Sequence, residues 1–143
     1  MKYITLFFGM FFVLCSSAAQ VSGQWKGVIT QNEGGYKSKY NFEMYFHQKG
    51  NLLRGRSYVY VDNIYVEMEL EGIITNGDYI KFQETKMVDS KIVEGLEWCV
   101  KGGYLILKKE KDTYILTGIW NGFTSFGTCI PGRIELKRVV PQA

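Results

Sequence analysis

From residue 39 to residue 48 the chain reads KYNFEMYFHQ, and its even positions Tyr40, Phe42, Met44 and Phe46 are apolar. Lys39, Asn41, Glu43 and His47 stand between them. Side chains change face every residue along an extended strand, so a period of two lets one face be buried and the other wetted only in a β-strand. IYVEMELEGII repeats the pattern, with Ile64, Val66, Met68 and Leu70 on one face and Glu67, Glu69 and Glu71 on the other. YIKFQE sets Ile80 and Phe82 against Lys81 and Gln83. Beyond residue 20 the helical period is almost absent.

Turn chemistry separates these runs. NEGG (32–35), KGN (49–51), DN (62–63), NGD (76–78), KGG (101–103) and KDT (111–113) supply the residues that tight hairpins need, Asn-Gly and Gly-Gly above all. The pattern predicts an all-β, antiparallel up-and-down meander of eight to ten strands. Two connections are longer, residues 87–95 and 121–132, and the first has room for a short helix.

Glycine follows a large apolar residue at a spacing of two in Leu53-Arg54-Gly55, Leu70-Glu71-Gly72, Leu116-Thr117-Gly118 and Trp25-Lys26-Gly27. Residues two apart share a face of a strand, so these glycines face inward with Leu and Trp. Glycine inside a strand is tolerated where the sheet bends or another group comes close. Repeated on several strands, it describes a sheet curling into a closed barrel, which also removes the exposed edges of a long meander. An open sandwich with incidental glycines is the alternative.

The first nineteen residues read as a leader rather than as part of this barrel. Lys2 precedes the apolar run ITLFFGMFFVL (4–14), which is too short to span a bilayer, and Ser17 and Ala19 fit the −3 and −1 positions of a cut before Gln20. The domains expected are a signal peptide at 1–19 and a single barrel at 20–143, in a secreted or periplasmic protein with no transmembrane span after the leader is removed. A lipid-modified Cys15 is the weaker alternative, because Leu14 stands where a small residue is usual. The 17 Lys and Arg, one of them Lys2, nearly balance 14 Asp and Glu, and no basic run stands out, which argues against a nucleic-acid partner. Cys99 and Cys129 remain in the mature chain, and an even pair in an exported protein reads as one disulfide. Such a bridge closes a loop of about thirty residues and adds about 3–4 kcal/mol in the chain-entropy picture. A buried pair of free thiols is the alternative. A barrel spanning an outer membrane is disfavoured, since its interior would be polar, whereas the face carrying the bending glycines here carries Leu, Met, Phe and Trp.

SGQWKG opens the barrel with Gly23-x-Trp25. This resembles the Gly-x-Trp signature of the lipocalins and their calycin relatives, the avidins included, and LLRGRSY is similar to the Leu-x-Gly-x-Tyr phrases of avidin-like chains. The resemblance implies a lipocalin-like barrel, a small-molecule pocket and a basic residue of the last strand packed across Trp25. Arg138 matches that residue, because it shares parity with Ile134 and Leu136. The polar set of an avidin biotin site has no counterpart that the sequence reveals.

Catalytic chemistry finds little support. The one histidine, His47, lies on the polar face of its strand, which leaves neither a base beside a Ser or Cys nor a metal-ligand set. Glu67, Glu69 and Glu71 read as a solvated outer face, and no glycine-rich phosphate loop precedes a helix. The expectation is a non-enzyme with no cofactor and no metal. Parity instead turns Trp25, Phe42, Met44, Met68, Phe82, Trp98 and Trp120 inward, joined by Leu53, Val66 and Leu116. Ser57, Glu84 and Arg138 complete the candidate ligand-binding set. A mostly apolar cavity with a few polar groups is the usual form of a small-molecule site, and complete filling of the barrel by the same side chains is the alternative. Buried unpaired, Glu84 would cost several kcal/mol, so it is expected to meet Arg138 or a ligand, or to sit in water at the mouth. The function expected is non-catalytic binding of a small, mostly apolar ligand. A second expectation is a protein-interaction module (inhibitor, adhesin or assembly factor) acting through Phe123, Phe126 and Ile130 on the disulfide-pinned loop 121–132; a lid folded over the barrel end is the alternative for that loop. Outward Tyr58, Tyr60, Tyr65 and Tyr79 are expected to form a stripe, either bracing neighbouring strands or offering a platform for a glycan or peptide.

Overall fold

The computed structural model describes residues 20–141. The leader expected at residues 1–19 and Cys15 lie outside the described residues. The described residues form β1 (Gly23–Thr30), β2 (Lys39–Lys49), β3 (Leu52–Val61), β4 (Ile64–Thr75), β5 (Tyr79–Lys91), β6 (Val100–Glu110), β7 (Thr113–Thr124), β8 (Gly127–Thr128) and β9 (Gly132–Arg138), with no helix among them. Each strand from β1 to β7 pairs antiparallel with the next, β7 pairs with β9, and β9 returns to β1. Eight strands thus close a meander ring, and two-residue β8 is a hairpin on the end of β7.

The register explains the repeated glycines. Across neighbouring strands Leu53 faces Gly72, Gly72 faces Phe82, Phe82 faces Gly103, Gly103 faces Trp120 and Trp120 faces Gly132. Gly55 likewise lies between Phe46 and Leu70. An eight-stranded barrel is only wide enough for side chains to fill, so large and small residues alternate around its wall. Closure also brings backbone close to backbone: a Cβ on Gly55 or Gly118 would run into the carbonyl oxygen of Tyr45 or Tyr104 on the adjoining strand. Trp25, Phe42, Met44, Met68, Phe82, Leu105 and Leu116 fill the interior and are fully buried or nearly so. This polarity is the reverse of a membrane-spanning barrel's.

Three local expectations are corrected. KGG at 101–103 is no turn but lies within β6, where Gly103 makes room for Phe82 and Trp120. Residues 87–91 hold no helix and extend β5. There β5 carries two extra residues relative to β4, since Glu67 faces Asp89 while Met68 faces Met87, and Glu69 faces Lys86 while Leu70 faces Glu84. These bulges at Val88 and Thr85 bend the strand, and β5 pairs with β6 only over residues 79–83. The four-tyrosine stripe splits in two: Tyr58 packs on Tyr60 and Tyr65 at 5.4 and 6.1 Å, whereas Tyr79 stacks on Tyr104 at 5.5 Å, because it starts β5 opposite Thr75, far from Tyr65 along β4.

Candidate functional site

At the start of β1 the barrel is plugged. Trp25 donates its indole N–H to the Val21 carbonyl at 2.9 Å. Arg138 lies directly across the β1–β9 ladder and sets its guanidinium 4.7 Å from the Trp25 ring and 5.0 Å from Tyr114. It also donates to the Gln20 carbonyl. The far end of β1, at Ile29, meets a different arrangement.

There β5 and β6 part after the Gln83–Gly102 pair, and side chains take over from the missing ladder. The Lys101 backbone N–H donates to Glu84 Oε2 at 3.0 Å. The Gln83 amide donates to the carbonyls of Glu84 and Lys101 at 3.0 and 3.3 Å. Glu84 Oε1 accepts from the Ser57 hydroxyl at 2.7 Å and from Lys101 Nζ at 3.0 Å. Lys101 Nζ also donates to the Cys99 carbonyl at 3.2 Å. Glu84 is 2% and Lys101 3% exposed, so the two charges are desolvated together and depend on each other. Glu84 is therefore paired with Lys101, and the expected partnership with Arg138 is not formed.

Residues 92–99 cross the gap between the two strands as a flap with four fastenings. Cys99 is bonded to Cys129, as expected. Glu97 accepts from the backbone N–H and hydroxyl of Ser125 at 2.7 and 2.8 Å. Those hydrogen bonds, the hydroxyl's first, hold the Glu97 carboxyl below the usual glutamate range. The Trp98 indole donates to the Lys91 carbonyl at 3.3 Å, capping the edge of β5, and its ring meets Tyr40 edge-on at 6.3 Å. Burial raises the pKa of the Tyr40 hydroxyl.

Beneath the flap is a pocket of about 180 Å³. Ile29, Val59, Ile64, Ile92, Leu96, Trp98 and Trp120 make it mostly apolar, and Gln31, Tyr36, Tyr40, Glu97 and Lys101 bring polar groups to its wall. The inner polar groups are largely engaged with protein. Trp120 donates to the Thr30 carbonyl at 2.8 Å, Gln31 to the Ile130 carbonyl at 3.1 Å, and Tyr40 to Gln31 Oε1 at 3.3 Å.

Of the candidate ligand-binding residues, Trp98 and Trp120 line this pocket. Trp25, Phe42, Met44, Met68 and Phe82 pack in the interior, Ser57 and Glu84 stand behind Lys101, and Arg138 is at the plugged end. In loop 121–132, Phe123 and Phe126 are 55% and 84% exposed and Ile130 is half-buried. That loop does not form the lid; it anchors the flap that does, through Cys129 and Ser125. Lys101, Gln31, Tyr40 and, of the flap, Ile92, Leu96 and Glu97 were not singled out as site residues from the sequence, whereas Trp98 and Cys99 were. Lys101 shares parity with Gly103, Leu105 and Leu107, a signal hidden when KGG is taken as a turn.

The closed eight-stranded antiparallel meander has the fold of an avidin-like β-barrel. The crystal structure of a rhizavidin–biotin complex shares the fold: the match covers 90% of this chain and 100% of that one at a TM-score of 0.54 and 16% identity. No protein-family model matches the sequence, and no curated protein matches it.

Proposed function

We propose that this chain is an exported, non-catalytic binding protein that holds a small, mostly apolar ligand in the pocket beneath the flap. The pocket itself carries this reading: an apolar cleft walled by Trp98 and Trp120, placed at the unplugged end of an avidin-like barrel. Its volume of about 180 Å³ sets the scale. Drug-sized ligands occupy roughly 300–1,000 Å³, whereas an apolar cavity of about 150 Å³ takes benzene. The ligand is therefore of single-ring size. Biotin, the ligand of the rhizavidin complex, is the natural comparison compound. Export is supported by the leader pattern of residues 1–19 and by the Cys99–Cys129 bridge, which suits an oxidising compartment.

Tryptophan emission titrated with ethylbenzene tests the reading. A saturable change is expected, weakened several-fold by Trp98→Ala. Absence of saturable binding by ethylbenzene, acetophenone, benzoate and biotin alike would remove the pocket from consideration as a ligand site. The exposure of Phe126 favours a second reading, in which hairpin 121–132 contacts another protein. On that reading Phe123→Ser with Phe126→Ser abolishes a complex of the exported protein while leaving pocket binding unchanged.

A further inference from the structure

Lys101 is the buried charged side chain of the pocket wall, 3% exposed. An ammonium carries three N–H groups. One is donated to the Cys99 carbonyl at 3.2 Å and one to Glu84 Oε1 at 3.0 Å. The third has no protein acceptor among the described residues. Among the other donors, the Trp98 and Trp120 indoles go to the Lys91 and Thr30 carbonyls, the Tyr40 hydroxyl goes to Gln31, and the Gln31 amide gives one N–H to the Ile130 carbonyl, so that what these leave over is neutral. The pocket thus presents apolar walls and one strong unused donor.

Charge narrows the class of ligand further. Glu84 already neutralises Lys101, and the Glu97 carboxylate stands at the rim. An anion entering here would be drawn by one positive charge and repelled by two negative ones. A neutral oxygen acceptor gains a charge-assisted hydrogen bond without placing another charge in a desolvated site. Resting on the binding reading above, we propose that the ligand is a neutral, single-ring-sized molecule with one carbonyl-type oxygen, which accepts the third N–H of Lys101 while the ring lies against Trp98 and Trp120.

Three probes of nearly equal size separate the terms: acetophenone, ethylbenzene and benzoate. Acetophenone is expected to bind about tenfold tighter than ethylbenzene, the ordinary worth of a hydrogen bond to a charged group, with benzoate weakest. Replacing both members of the ion pair, Lys101→Met with Glu84→Leu, should erase the acetophenone preference, read as the ratio of the acetophenone and ethylbenzene affinities whatever their absolute values. In the unaltered protein, the 13Cε resonance of Lys101 should move with acetophenone and not with ethylbenzene, a readout that does not depend on the variant folding. Equal affinity for acetophenone and ethylbenzene, a still resonance, or a preference that survives the double replacement overturns the assignment while leaving an apolar site intact. Benzoate binding tightest overturns it in favour of an anion site. Failure of all three probes to bind overturns this assignment, and failure of biotin as well removes the binding reading with it.

Discussion

The two ends of the barrel each hold a cation and tryptophan, yet they are built on opposite principles. At the plugged end, Trp25 and Arg138 are direct cross-strand neighbours in an unbroken ladder, and the guanidinium spreads over aromatic faces. Arginine suits that place, being planar, weakly hydrated and able to stack. At the pocket end the ladder is broken by two bulges, and Lys101 faces a carboxylate instead of a ring. A compact ammonium with three donors can bind the carboxylate, a backbone carbonyl and something further. One end is finished by packing; the other is completed by side chains standing in for strand pairing, and it keeps a cleft. Backbone continuity therefore separates plug from pocket more than residue type does.

The largest difference between the ends should appear in single replacements. Glu84→Leu or Lys101→Met leaves its partner's charge buried and uncompensated, and each should lower unfolding free energy in urea by about 3–5 kcal/mol. The two together should cost far less, because no orphaned charge remains. Arg138→Ala removes a stacked but solvent-reached cation and should cost only about 1–2 kcal/mol. Equal losses for Lys101→Met and Arg138→Ala would mean that the two cations are held alike and that the contrast is wrong.

The bridge sharpens the comparison, since it serves one end only. Cys99→Ser with Cys129→Ser should lower stability by about 3–4 kcal/mol through the restored freedom of a loop with a sequence separation of 30. Cys99 also lines the pocket, so ethylbenzene affinity should fall, while the near-UV circular dichroism of the Trp25 plug should persist. Undiminished affinity in the double serine variant would show that Glu97 and Trp98 hold the flap without the bridge.

The same division runs through what could be read from residues alone. Closure and the antiparallel meander follow from parity and turn motifs, because an unbroken ladder carries a strict two-residue period from strand to strand. The Cys99–Cys129 bond was expected from an even cysteine pair, and the placing of Arg138 over Trp25 from the lipocalin resemblance, with parity picking out the residue. At the pocket end that period is interrupted. Thr85 and Val88 are extra residues only in relation to β4, a relation between strands that no single strand displays. After the first bulge the parity of β5 is lost, and all of its residues beyond Glu84 are exposed. Lys101 was hidden for another reason. Gly102 and Gly103 have the chemistry of a turn, but Gly103 is in the wall to admit Phe82 and Trp120. The Ser57–Glu84 contact joins residues 27 apart in the chain, so its donor and acceptor are separately visible and jointly unpredictable. What shapes the pocket was written where the regular pattern stops.

The smallest expected effect concerns how firmly the flap closes over the pocket, and it should reach that end alone. Glu97 accepts two hydrogen bonds from Ser125, and both stabilise the ionised carboxylate, which holds its pKa below the reference value of 4.5. A lowered folded-state value means that the contact contributes fully above the unfolded pKa and is lost as pH falls through the folded one. Ethylbenzene affinity should therefore be level from neutral pH down to that reference value and weaken below it, while the Trp25 plug, which contains no carboxylate, keeps its near-UV signal. Glu97→Gln should give a pH-independent affinity close to the acid limit, and Ser125→Ala should move the transition toward the ordinary glutamate value. The exposed position of Glu97 keeps the change modest, because water competes for both the carboxylate and its donors. An affinity that stays level through the acid range in the unaltered protein would assign closure of the flap to the bridge and Trp98, and would leave the Glu97–Ser125 contact without a part in holding the pocket.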